Sequence, residues 1–217
     1  MITAASLVSE VLGWMELNGN TAANAASFQV YANLSHVQRY LIRNLPLKEI
    51  DVGIKTVQFN LIISVNRVQW PSDYARFLNL WLNYTAAITE SVPGRRVRED
   101  KEGAMESDIA DFQPSTDYPQ FEYVENGFRF APVPAASQAN GGQIKYVQQL
   151  PNISISQDSL LRDDHKALLV YGAAELCASV DDYNIPLSEK MGKLFDRDFQ
   201  GFWGDNRIDI KPRRKIK

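Results

Sequence analysis

Gly141-Gly142-Gln143 is the group whose residue types most directly suggest a reaction. In a translation release factor, a GGQ loop positions water to hydrolyse peptidyl-tRNA. It does so from an exposed tip surrounded by cations that meet ribosomal RNA. The neighbours here are Ala139, Asn140 and Ile144, none of them basic. Two glycines ahead of an alternating run are what a β connection uses where the backbone needs positive φ. The stretch is therefore read as a loop that turns the chain into a strand.

The remaining reactive side chains are few. His36 and His165 are the only histidines and Cys177 the only cysteine, so no Cys/His spacing for zinc exists. His36 falls on the polar side of a helix and is expected at the surface. Asp163-Asp164-His165 lies early in a helical stretch, where acids favour the positive end of the macrodipole. Asp181-Asp182 sits at the opposite end, an unfavourable position that suits either a contact site or a solvated pair. There is no phosphate-cradling P-loop, no G-x-G-x-x-G and no G-x-S-x-G. No catalytic residue, metal site or cofactor is predicted, and the chain is expected not to be an enzyme.

The charge distribution is more informative. The 217 residues carry a net charge of −3, yet the final "KPRRKIK" holds Lys211, Arg213, Arg214, Lys215 and Lys217 without an acid, so the rest of the chain carries −8. Such a stretch suits nucleic acid, an anionic membrane surface, an acidic protein cleft, or simply a solvated end. The N-terminal "MITAASLVSEVLGWMELNGN" lacks a basic leader region and places Glu10 and Glu16 within its apolar pattern. No signal peptide or membrane span is expected, and the sequons at Asn33, Asn83 and Asn152 are read as coincidence. Cys177 lies in an apolar helical stretch and is expected to be packed.

The elements that must position these residues are an α+β set. Leu7, Val8, Val11, Leu12 and Met15 predict a helix over Thr3 to Leu17, stopped by Asn18-Gly19-Asn20. Phe28, Tyr31, Leu34, Leu41 and Leu45 predict a second from Ser27 to Asn44, which Pro46 ends. The period then changes to two: Val57, Phe59, Leu61, Ile63 and Val65 mark one strand, and Leu78, Leu80 and Leu82 another after the Pro71-Ser72-Asp73 turn. Residues 85–119 read as a long excursion with one helical turn near Ala104 to Ala110. Asn126-Gly127 predicts a tight hairpin between "FEYV" and "FRF". Ile144, Tyr146 and Gln148 then alternate in a last strand.

The helical period returns after Pro151. Asp158 or Ser159 can cap a helix to about Asp182 whose centre, Leu168 to Ala178, is apolar nearly all round. Such a helix either lies at the centre of a bundle or also packs against a neighbouring subunit. Pro186 opens a final helix bearing Leu187, Met191, Leu194, Phe195, Phe199 and Phe202 on one face, ended by Gly204. The expected architecture is a helical bundle from both chain ends, residues 1–50 and 153–204. A small antiparallel β-sheet domain, 51–152, is inserted between them, and an extended basic tail, 205–217, follows.

In order, an N-terminal helix pair, "WPSDYARFLNLW", "YVENGFRFAPVP", "GGQIKYVQQLP" and a C-terminal helix pair ending in "FQGFWGDN" resemble the head-to-tail connector, or adaptor, proteins of tailed bacteriophages. The similarity spans roughly Leu7 to Trp203. It implies a virion protein at the head–tail junction, assembled in host cytoplasm as a homo-oligomeric ring, a dodecamer, docked on the portal protein. The ring would join a tail or nozzle protein, with DNA passing through its lumen and no membrane involved. It also implies that a C-terminal extension reaches the portal. By position this assigns Lys211, Arg213, Arg214, Lys215, Ile216 and Lys217 to portal binding, with Arg213 and Arg214 leading in an acidic groove. The competing reading is a nucleic-acid-binding module using the same basic residues.

Overall fold

The computed structural model describes residues 2–16, 27–50, 52–85, 92–97, 113–179 and 184–203. Four α-helices are present among them: α1 (Ala4–Glu16), α2 (Ser27–Asn44), α3 (Lys166–Ser179) and α4 (Ile185–Gly201). Eight strands are β1 (Ile54–Leu61), β2 (Arg67–Gln69), β3 (Tyr74–Leu82), β4 (Val92–Pro93), β5 (Arg95–Arg96), β6 (Gln120–Val124), β7 (Gly127–Ala131) and β8 (Gln138–Gln148). The chain is α+β and divides into two compact units, Met1–Gly53 with Gln149–Lys217, and Ile54–Gln148.

In the helical unit α3 packs against α1, α2 and α4. Leu168, Leu169, Val170, Gly172, Ala173, Ala174 and Ala178 are all buried, so packing on three sides accounts for a helix with no polar face. The capping prediction is corrected. Asp158 Oδ1 accepts from the backbone N–H of Ala4 at 2.7 Å, satisfying a first-turn donor of α1 rather than of α3. Ser159 donates its hydroxyl to Gln38 Oε1 at 2.9 Å, while Gln38 Nε2 donates to the Pro151 carbonyl at 2.8 Å. The stretch before α3 is thus tied to α2 and α1 by buried and partly buried hydrogen bonds, and α3 starts only at Lys166, after a 3-10 turn over Asp163–His165. Asn184 caps α4, its Oδ1 accepting from Leu187 N–H at 3.3 Å, with Pro186 in the first turn. That helix runs to Gly201, three residues short of the expected stop.

The β unit departs from a single antiparallel sheet. It has two four-stranded sheets, ordered β1-β8-β3-β4 and β2-β7-β6-β5, and β5 runs parallel to β6. Leu61, Leu80, Leu82, Ile144 and Tyr146 of the first and Phe121, Phe128 and Phe130 of the second form one core. Trp70, stacked on Tyr74 at 4.3 Å, extends it. The strand predicted through Val65 stops at Leu61, because its partner β8 begins at Gln138, opposite Leu61, and the ladder has nothing further to pair. Ile62 to Asn66 turn instead, with Ser64 at φ 62°, and carry the chain to the second sheet. Within the excursion expected over 85–119, residues 92–97 pass from one sheet to the other, with Gly94 N–H donating to the Leu80 carbonyl at 2.9 Å. The helical turn expected near Ala104 to Ala110 lies outside the described residues.

The hairpin is where the sequence placed it, shifted by one residue. Glu125-Asn126 are the turn residues, Val124 pairs with Gly127, and the positive φ, 61°, falls on Asn126. Gly127 is needed for another reason, since a Cβ there would lie 2.1 Å from the Val68 carbonyl oxygen of β2. Gly141-Gly142-Gln143 is not a loop at all. It lies within β8, paired with β1 on one side and β3 on the other, and the Phe59 ring covers Gly142 so closely that a Cβ would stand 2.1 Å from it.

Gly127→Ala is expected to destabilise the chain by roughly 1–3 kcal/mol, because backbone must move to relieve the overlap. Gly13→Ala in α1, where a Cβ meets nothing within 4 Å, is expected to stabilise it by about 0.5–1 kcal/mol. Urea unfolding of both variants measures the difference; equal effects would refute the steric assignment.

Candidate partner-binding surfaces

The residues assigned to portal binding, Lys211, Arg213, Arg214, Lys215, Ile216 and Lys217, lie outside the described residues, as do Asp181 and Asp182. The structure places the other candidates apart from one another. His36 is exposed on α2, at the rim of a shallow cavity with Tyr40, Glu175 and Phe195. His165 is fully buried, its ring 5.0 Å from that of Phe202 and its Nε2 3.7 Å from Glu49 Oε2, which Arg162 Nη1 approaches to 3.5 Å. This cluster joins the turn before α3 to the turn after α2 and to the end of α4. Asp163 and Asp164 are exposed at the positive end of α3, and Asp164 accepts from Arg162 at 2.9 Å. Among the described residues no three His, Cys, Asp or Glu side chains are grouped to hold a metal. Cys177 is half-buried; burial pushes its thiol pKa up, although Asn33 Nδ2 donates to Sγ at 3.1 Å. A raised thiol is a poor nucleophile.

One polar triad in the β unit is well ordered. Tyr146, completely buried in β8, donates its hydroxyl to Asp73 Oδ1 at 2.7 Å, and Lys55 Nζ donates to Asp73 Oδ2 at 2.8 Å. The Lys55 hydrogen bond lowers the Asp73 pKa below its ordinary 3.8, with Tyr146 adding to the effect against some burial. Burial, then the bond to Asp73 and its charge, raise the Tyr146 phenol. Both groups titrate further from neutrality than usual, the reverse of what acid–base catalysis requires. The triad fastens the Pro71–Asp73 turn to the central strand.

The described features best suited to partners are apolar and exposed. Ile62, Ile63, Val65 and Val133 remain 52, 52, 42 and 48% accessible at one corner of the β unit. Their loops are tied together, Ser64 N–H donating to the Pro134 carbonyl at 3.0 Å and Ile63 N–H to Ser137 Oγ at 3.1 Å. In the helical unit Ile155 is 89% accessible at the tip of a turn closed by two backbone hydrogen bonds between Ser154 and Gln157. Exposed aliphatic side chains gathered on tied loops, as at the Ile62 to Val65 corner, suit protein contacts. Ile63 and Val65 share the alternation of Val57, Phe59 and Leu61, and only the end of the β8 ladder explains why they are exposed.

A family model described as SU10 adaptor protein matches residues 2–210. The chain belongs to the SU10 adaptor protein family. It is a bacteriophage structural protein of the head–tail adaptor class, in agreement with the resemblance read from its local features. No curated protein matches it. The family match stops one residue before Lys211, so the basic stretch Lys211 to Lys217 lies outside it. Among the described residues no helix is long and apolar enough to cross a membrane.

Asp73→Ala, which strands the buried Tyr146 hydroxyl, is expected to cost roughly 1–3 kcal/mol near neutral pH. Because the Asp73 pKa is depressed in the folded state, the carboxylate's contribution is complete above pH 3.8 and disappears as pH falls through the lower folded value. Chemical denaturation of both proteins at descending pH should therefore show the gap narrowing below pH 3.8. A gap independent of pH would remove Asp73 ionisation as its source.

Proposed function

We propose that this adaptor is a subunit of a ring, a dodecamer, seated beneath the portal at the head–tail junction of the virion and joined below to a tail or nozzle protein. Packaged DNA passes through the lumen without sequence-specific contacts. The observation that carries the reading is the family match across nearly the whole chain. The aliphatic corner around Ile63 and the Ile155 tip support it, since they are different surfaces on different parts of the chain. A ring closes through such heterologous contacts, each copy offering one surface to each neighbour. The helices of the two chain ends, residues 1–50 and 153–204, serve as the bundle that carries the inserted β domain, 51–152.

Residues 205–217 act as the portal arm. Five cations in the last seven residues suit an acidic groove, where guanidinium groups such as those of Arg213 and Arg214 form paired hydrogen bonds with carboxylates. A nucleic-acid-binding role for the same residues predicts appreciable DNA affinity that falls steeply with salt. The adaptor reading predicts weak DNA binding by the isolated chain, whose remainder carries −8.

Truncation after Gly204 is expected to abolish co-sedimentation with portal while leaving the circular dichroism and melting temperature unchanged. Undiminished attachment rejects the arm. A filter-binding titration with duplex DNA at several salt concentrations discriminates the second reading. Separately, Ile63→Asp is expected to leave the monomer folded and to lower ring yield on portal, as seen by mass measurement; an unchanged yield removes the aliphatic corner from the contact.

A further inference from the structure

The second sheet turns Val68, Phe121, Phe128 and Phe130 toward the shared core, so their chain neighbours project from its outer face. On that face Arg67 of β2 stands directly opposite Arg129 of β7, and Arg129 stands opposite Glu122 of β6. Arg95 of β5 stands opposite Gln120 of β6 on the same side. Glu122 is engaged by Arg129, Nε to Oε1 at 2.6 Å. Arg67 and Arg95 are exposed, and neither pairs with a carboxylate among the described residues. Arg95 is held over the exposed Tyr118 ring at 5.0 Å, which directs its guanidinium without neutralising it.

Like charges directly opposite across an antiparallel pair oppose folding. Arg129 and Glu122 satisfy each other across the β6–β7 pair, but Arg67 and Arg95 leave the face with two further guanidinium groups that meet no carboxylate among the described residues. They suit a surface rich in carboxylates, and the chain outside its last seven residues carries −8. We infer that the outer face of β2-β7-β6-β5, through Arg67, Arg95 and Arg129, docks on a carboxylate-bearing surface of a neighbouring copy of this chain.

This rests on the ring reading, and the geometry agrees with it. Paired with its own image the face would set three guanidinium groups and a single carboxylate against the same set, an excess of like charge. A different, carboxylate-bearing surface of the next copy is the better match, as in a heterologous contact that closes by rotation. A duplex fits less well, since Glu122 stands within the cationic row and would meet the continuous line of phosphates.

The test uses the full-length chain, a charge-reversed Arg67→Glu/Arg95→Glu variant, and a control, Lys48→Glu/Lys193→Glu, with the same charge change on exposed residues of the helical unit. Sedimentation velocity follows association of each, alone and with portal, at low and high salt. The wild type and control are expected to associate alike at low salt. The sheet variant, with unchanged circular dichroism, should need about tenfold higher concentration to do so, a difference that salt erases. Association of the variant indistinguishable from wild type overturns the inference while leaving the ring intact. A wild type that stays monomeric both alone and on portal overturns the ring reading and this contact with it. Loss of duplex DNA binding by the variant, with association unchanged, reassigns the face to nucleic acid and also overturns the inference.

Discussion

The β unit depends on one strand having neighbours on both edges. β8 pairs with β1 along one side and β3 along the other, and its inward residues Ile144 and Tyr146 enter the core shared by both sheets. These pairings join segments far apart in sequence, so their closure entropy has to be met by the apolar contacts they create. Phe59 lying on Gly142 is part of that contact: the glycine is absent side chain made useful, a recess in the middle of a strand that a ring from the neighbouring strand fills. The same ring meets Phe128 of the second sheet edge-on at 5.8 Å, so the recess helps join the two sheets.

The contrast between what could and could not be read from the sequence follows from the same physics. α2 was legible to the residue, since an amphipathic run between Ser27 and a terminating proline is a local pattern. The β6–β7 hairpin was legible because Asn126 accepts a positive φ, although the turn begins one residue earlier than the Asn-Gly pair suggested. Gly141-Gly142 misled, since nothing local distinguishes a glycine that permits a turn from one that admits a neighbouring ring. Asp158 misled for a like reason: the helix it caps begins at the other end of the chain. The candidate surfaces were the least legible. Ile63 and Val65 continue the alternation of Val57, Phe59 and Leu61, broken on the polar side at Ile62, and Arg67, Arg95 and Arg129 acquire a common face only through strand register.

The reactive groups in the described parts of the molecule are tuned toward permanence. Burial pushes Tyr74 up to about 12 and raises Tyr84 and Tyr146 further, while Asp73 is lowered and the Cys177 thiol raised. None of these groups changes charge near neutrality, so they hold the fold there without exchanging protons. For a structural adaptor, constancy of that kind matters more than reactivity.

The left-handed Ser64 has a consequence beyond letting the chain turn. Its backbone bond to Pro134 couples two loops into a frame, so the aliphatic side chains on that frame are already confined before anything touches them. A mobile loop forfeits conformational freedom when a partner immobilises it, and that loss subtracts from the gain of excluding water. A braced loop has surrendered most of that freedom during folding. A partner docking there would retain nearly the full hydrophobic gain, and in the proposed ring the saving would recur at every equivalent seam.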